Sequence, residues 1–120
     1  MAVRWAAMHA DNNRTMTAED FRRIALSLPD TAESAHMSHP DFRVQGKVFA
    51  TLDYPSEGWA MVKLPPEQQL AFIDLDPKAF SPVKGAWGRK GATSVLLKAV
   101  KASALKGALE IACEARRKKA

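Results

Sequence analysis

The chain has 120 residues, of which 47% are apolar and 26% charged, and its formal net charge is +5. That length suits one domain with one modest core, and the composition is that of a globular protein rather than a disordered or fibrous one. No apolar run approaches the ~20 residues of a membrane-spanning helix, and a single cysteine, Cys113, excludes an intrachain disulfide framework.

Residues 1–16 read as an appended arm and 17–120 as the single domain. Met1–Arg14 has no helix cap and no clear period, carries the polar cluster Asp11-Asn12-Asn13, and lacks the apolar stretch of a signal peptide. Met16 offers an alternative translation start, a reading that a native N-terminus at Met1 would overturn. The first helix is expected from Thr17, a good N-cap, with Glu19 and Asp20 in the first turn at the positive end of the helix dipole. Met16 and Phe21 stand at the two positions of a hydrophobic staple. Phe21, Ile24, Ala25 and Leu28 form one apolar stripe, and Pro29 stops the helix.

A strand-rich region follows. Residues 32–38 suggest a first strand. Asp41–Gln45 and Lys47–Asp53 form a hairpin about a tight Gln45-Gly46 turn, and Val48, Ala50 and Leu52 alternate along its second strand. After turn chemistry at Tyr54–Gly58, Trp59–Leu64 reads as another strand, with Ala60, Val62 and Leu64 on one face. Pro66 suits the first position of a second helix and Glu67 its first turn. Leu70, Ile73 and Phe72 are its expected buried side, and Asp76-Pro77 ends it. Lys78–Lys90 is expected as loop or short strand, Ala92–Val100 as a strand, and 102–117 as the last helix. That helix carries the stripe Leu105, Ala108, Leu109, Ala112 and Cys113, with Glu114 and Lys118 spaced to pair.

The order is helix, three strands, helix, one or two strands, helix. Sequential antiparallel strands flanked by helices imply an α+β two-layer sandwich, with one face of the sheet buried under helices.

Charge is distributed unevenly. Residues 1–76 carry 7 basic and 11 acidic side chains, whereas 77–120 carry 11 basic and 2 acidic. No acid stands between Asp76 and Glu110. Such polarity can attract nucleic acid or an acidic protein partner; it can equally be surface charge that maintains solubility.

Four pieces of the chain, in this order, resemble the MmcQ/YjbR family of small bacterial proteins. They are Leu26-Ser27-Leu28-Pro29 with Glu33; His39-Pro40-Asp41-Phe42-Arg43-Val44-Gln45-Gly46-Lys47-Val48-Phe49-Ala50; Val62-Lys63-Leu64 leading into the Pro-Glu helix; and Phe80-Ser81-Pro82 through Gly85-Ala86-Trp87-Gly88. The resemblance runs from about Thr17 to Arg117. It implies an α-β(3)-α-β(2)-α fold similar to type III secretion chaperones, and a DNA-binding role by likeness to a double-wing domain. Ala92 departs from the family, in which an aromatic commonly begins the last strand.

Two groups of residues are candidates for nucleic-acid contact. Lys84, Trp87, Arg89 and Lys90 lie in or beside a loop with glycines at 85, 88 and 91. Its backbone N–H groups and cations can meet phosphate while Trp87 stacks on a base. The alternative is a structural turn with Trp87 packed on the sheet. Arg43 and Lys47 flank the hairpin turn like a wing, with Lys63 adding charge along the sheet; the alternative is solvent-facing alternation that protects strand edges.

His36, His39 and Asp41 resemble metal ligands in type, but zinc needs three or four converging donors and no further Cys or His stands nearby. No metal or cofactor is expected. Cys113 sits on an apolar stripe, Ser81, Ser94 and Ser103 lack a nucleophile elbow, and Asp74 and Asp76 belong to a helix end. The chain is therefore read as a cytoplasmic, non-enzymatic DNA-binding accessory protein, with a protein-binding or chaperone-like module using the sheet face as the alternative.

Overall fold

The computed structural model describes residues 15–117. Helix α1 (Ala18–Ser27) leads into strands β1 (Thr31–His36), β2 (His39–Val44), β3 (Lys47–Leu52) and β4 (Trp59–Lys63). Helix α2 (Pro66–Leu75), strand β5 (Phe80–Pro82), a single helical turn α3 (Ala86–Arg89), strand β6 (Ala92–Leu96) and helix α4 (Ala102–Arg116) follow. The six strands form one sheet in the order β1-β2-β3-β4-β6-β5, and every neighbouring pair is antiparallel.

The α+β architecture is the one expected, but the weakly patterned segment before the hairpin is a full strand. It brings the first run of strands to four instead of three. Five of the six β1 residues are exposed, so the segment has little hydrophobic alternation to reveal it. Its register comes from a two-residue turn, Met37-Ser38, both at positive φ. The following hairpin turns the same way at Gln45 (φ 51°) and Gly46 (φ 82°), the geometry whose twist matches paired strands.

Helix α1 starts at a reciprocal cap. The Asp20 N–H donates to Thr17 Oγ1, and the Thr17 N–H donates to Asp20 Oδ2 at 2.9 Å. Both staple residues are buried, Met16 at 4% exposure. Met16 thus belongs with the core although it falls at the end of the expected arm; residues 1–14 of that arm lie outside the described residues.

The core lies between one sheet face and helices α1 and α4. The sheet supplies Phe42, Val44, Ala50, Leu52, Ala60, Val62 and Val95, while the helices supply Phe21, Ala25 and the whole predicted α4 stripe from Leu105 to Cys113. Leu52 pairs with Ala60, and Ala60 with Val95, so one apolar row crosses three strands. On the opposite face the row Asp41, Thr51, Met61 and Ser94 is in register across four strands, and all four are buried.

Helix α2 departs from the expected burial. Leu70 is 63% exposed, whereas Gln69 is buried; Phe72 and Ile73 do pack against the core. Gln69 is satisfied because its amide reaches backbone carbonyls of a distant loop. The long strand expected over Ala92–Val100 ends at Leu96, where the Val100 N–H bonds back to Leu96 O and closes a turn. Lys118 lies outside the described residues, and Glu114 Oε2 accepts from Arg117 Nε at 3.1 Å.

A candidate anion-binding pocket at one end of the sheet

The hairpin turn, the end of β4 and the start of β6 lie at the same end of the sheet, as the antiparallel register requires. Helix α4 ends there too: Arg117 Nη2 donates to Pro29 O at 3.0 Å, just before β1. The end of β4, the α3 loop, the start of β6 and the end of α4 bound an open cavity of about 380 Å³. Three cations line it, Lys63 from β4, Lys90 after α3 and Arg116 at the end of α4, and among the described residues no acidic one does. Met61, Leu64, Pro65, Ala92 and Ala115 contribute apolar walls, and Trp87 completes the lining.

The α3 loop is held to the sheet by backbone contact. Gly91 has φ +112°, and a Cβ there would lie 1.7 Å from the Leu64 carbonyl oxygen. The Leu64 N–H in turn donates to Gly91 O at 3.0 Å. Gly88 is equally constrained, since its Cβ would lie 1.7 Å from Val83 O. Gln69 braces the loop from the α2 side: its buried amide nitrogen donates to Gly88 O at 3.0 Å and Ala92 O at 3.1 Å. The loop is therefore a fixed platform. Trp87 stands on it 64% exposed rather than packed on the sheet.

Lys63 is half-buried. Burial first, and the charge on Arg116 second, push its ammonium below the ordinary lysine range. Arg116 Nε is buried with no hydrogen-bond partner among the described residues. Two cations at close quarters, one desolvated and one with an unused donor, favour an anion in the cavity.

Of the six residues singled out in the sequence, Trp87 and Lys90 line this pocket. Lys84 and Arg89 are exposed on the same loop and do not line it. Lys47 is exposed beside the hairpin turn. Arg43 is committed to an ion pair: its Nε and Nη2 donate to the two Asp41 oxygens at 2.9 and 3.1 Å. Asp41, fully buried, also meets His36 Nδ1 at 2.7 Å. Arg43 before all holds the Asp41 carboxyl below the usual carboxylate range. His36 and Asp41 are thus joined by a hydrogen bond; His39 instead sets its ring against Tyr54.

Lys63 was read in the sequence only as added charge along the sheet, and two further contributors escaped sequence reading as site residues. Arg116 was hidden in the basic run at the chain's end, and Gln69 showed no local sign of its role.

The YjbR family pattern matches residues 26–112. This chain belongs to the YjbR family. Its fold is similar to that in a crystal structure of Deinococcus radiodurans protein DR2400, which carries a DUF419 domain. The TM-score is 0.68 at 20% identity, over 84% of this chain and 78% of that one. That likeness concerns the fold alone. No curated protein matches the chain. Among the described residues, no helix is long and apolar enough to cross a membrane.

Proposed function

We propose that this YjbR-family protein is a DNA-binding accessory protein that engages nucleic acid through the pocket end of the sheet and the α3 loop. The observation that carries the reading is a pocket lined by Lys63, Lys90 and Arg116, with no acid among the described residues, around an exposed Trp87. Cations supply the sequence-independent attraction to phosphate, and an exposed indole supplies a stacking surface for bases. The absence of acids between Asp76 and Glu110 extends this positive character along the chain. A sole cysteine that is buried suits a cytoplasmic setting.

Titration of labelled duplex and single-stranded DNA at about 50 and 200 mM salt tests this reading. Affinity should fall steeply with salt. Arg89→Ala with Lys90→Ala should weaken binding and flatten the salt slope, and Trp87→Ala should chiefly weaken single-strand binding. No binding at the lower salt overturns the proposal.

A protein-binding role rests on a different observation. Strand β1 is at the sheet edge and is exposed along most of its length, so its outer backbone can accept an added strand from a partner. Glu33 on that strand opposes indiscriminate pairing.

A further inference from the structure

We infer that the pocket bounded by Lys63, Lys90, Arg116 and Trp87 takes a terminal phosphate monoester attached to a nucleobase, that is, one nucleotide unit. The inference rests on the nucleic-acid reading above and narrows its ligand. A cavity of about 380 Å³ is at the lower end of the ~300–1,000 Å³ found for small-ligand sites. It is concave, whereas duplex DNA presents its phosphates on a convex surface. The exposed cations Lys84 and Arg89 can reach such a surface; the half-buried Lys63 is much less accessible to it.

The chemistry of the lining favours a doubly charged end group. Lys63 and Arg116 come from different elements, no acid lines the cavity between them, and Arg116 Nε has no partner among the described residues. A terminal phosphate presents three acceptor oxygens and close to two negative charges, against one charge for a phosphodiester. It can accept from the guanidinium and the ammonium together. Trp87 then offers its exposed face to the base, while Met61, Pro65 and Ala92 exclude water from one side of the phosphate.

Such a group has two sources, the end of a nucleic-acid strand or a free mononucleotide, and one experiment separates them. The full chain is titrated with fluorescein-labelled oligothymidylate bearing a phosphate or a hydroxyl at the unlabelled end, for 5′ and 3′ ends in turn. Adenosine monophosphate and adenosine are run as competitors. The phosphorylated strand should bind about tenfold or more tightly than its hydroxyl counterpart, and the monophosphate should outcompete adenosine by a similar factor. Lys63→Met and Arg116→Met should each abolish the phosphate preference, with unchanged circular dichroism showing that the fold survives. Trp87→Ala should weaken both strands alike and keep the preference.

Binding of the monophosphate without binding of any strand supports the pocket assignment, makes the free nucleotide its ligand, and overturns the DNA-binding reading. Strand binding that is indifferent to the terminal phosphate at both ends overturns the inference and leaves the DNA-binding reading standing. Failure of strands and monophosphate alike overturns both.

Discussion

Gly91 lies so close to Leu64 that a side chain could not be accommodated between them: a Cβ on Gly91 would sit 1.7 Å from the Leu64 carbonyl oxygen. The same pair is joined by the Leu64 N–H to Gly91 O hydrogen bond at 3.0 Å. Leu64 itself and Lys90, next to Gly91, both line the cationic pocket. The contact therefore fixes one wall of the pocket relative to the loop that carries Trp87.

Gly91→Ala tests this contact. The backbone conformation at φ +112° disfavours any Cβ, and the Leu64 carbonyl is backbone that cannot rotate away. The substitution should cost more than about 2 kcal/mol, seen as a fall of roughly 10 °C or more in Tm. By contrast, Gly58→Ala, with no atom within 4 Å of its Cβ but a φ of +89°, should carry only the conformational cost, about 1 kcal/mol.

Gln69 secures the loop from the other side. Gln69→Leu removes its bonds to the carbonyls of Gly88 and Ala92. Each of those carbonyls retains a backbone donor, Gly91 N–H and Val83 N–H respectively. The loss should therefore be about 1–2 kcal/mol rather than the full cost of two orphaned acceptors. Amide hydrogen exchange should rise through residues 83–92 and remain unchanged in β2 and β3; a uniform change over the sheet would contradict a local brace.

Much of this fold is legible in the chain because its signals are local. The Thr17 cap, the Gln45-Gly46 turn and the period of Leu105, Ala108, Leu109, Ala112 and Cys113 each depend on residues a few positions apart. What escapes reading depends on distant partners. Gln69 is buried and Leu70 exposed because two carbonyls of the α3 loop await the amide, and no periodicity within α2 encodes that. Lys63 and Arg116 become a pair only once α4 has crossed the sheet. Arg43 carries the opposite lesson: in sequence it is a free cation beside a turn, but Asp41 two residues earlier takes up its Nε and Nη2 donors.

Asp41 gives a prediction in acid. Its folded pKa is held below the ordinary 3.8, first by Arg43 and also by His36, against the opposing effect of burial. Its contribution to stability is thus full above about pH 4 and is lost as pH falls through the depressed folded value. Asp41→Asn should destabilise the protein by about 1–3 kcal/mol at neutral pH, because Arg43 and His36 lose a charged acceptor. The variant should also show a shallower loss of stability between about pH 4 and pH 2 in urea melts. Parallel curves for the two proteins in that range would show that Asp41 does not contribute to acid sensitivity.

Lys63 gives the complementary prediction at high pH. Burial and the nearby Arg116 lower its folded pKa from the ordinary 10.5. Between the folded and ordinary values the unfolded chain binds the proton and the folded protein does not, so wild-type stability rises with pH across that window. Below it, the cost of holding a desolvated ammonium beside Arg116 is present in full. Lys63→Met keeps the length and apolar stem of the side chain without the charge. It should raise Tm by a few degrees at pH 7, and the advantage should shrink as pH approaches 10.5. A gain in stability coupled to loss of anion binding is the behaviour of a charge retained for a ligand rather than for the fold. A loss of stability at pH 7 would instead make Lys63 a structural residue.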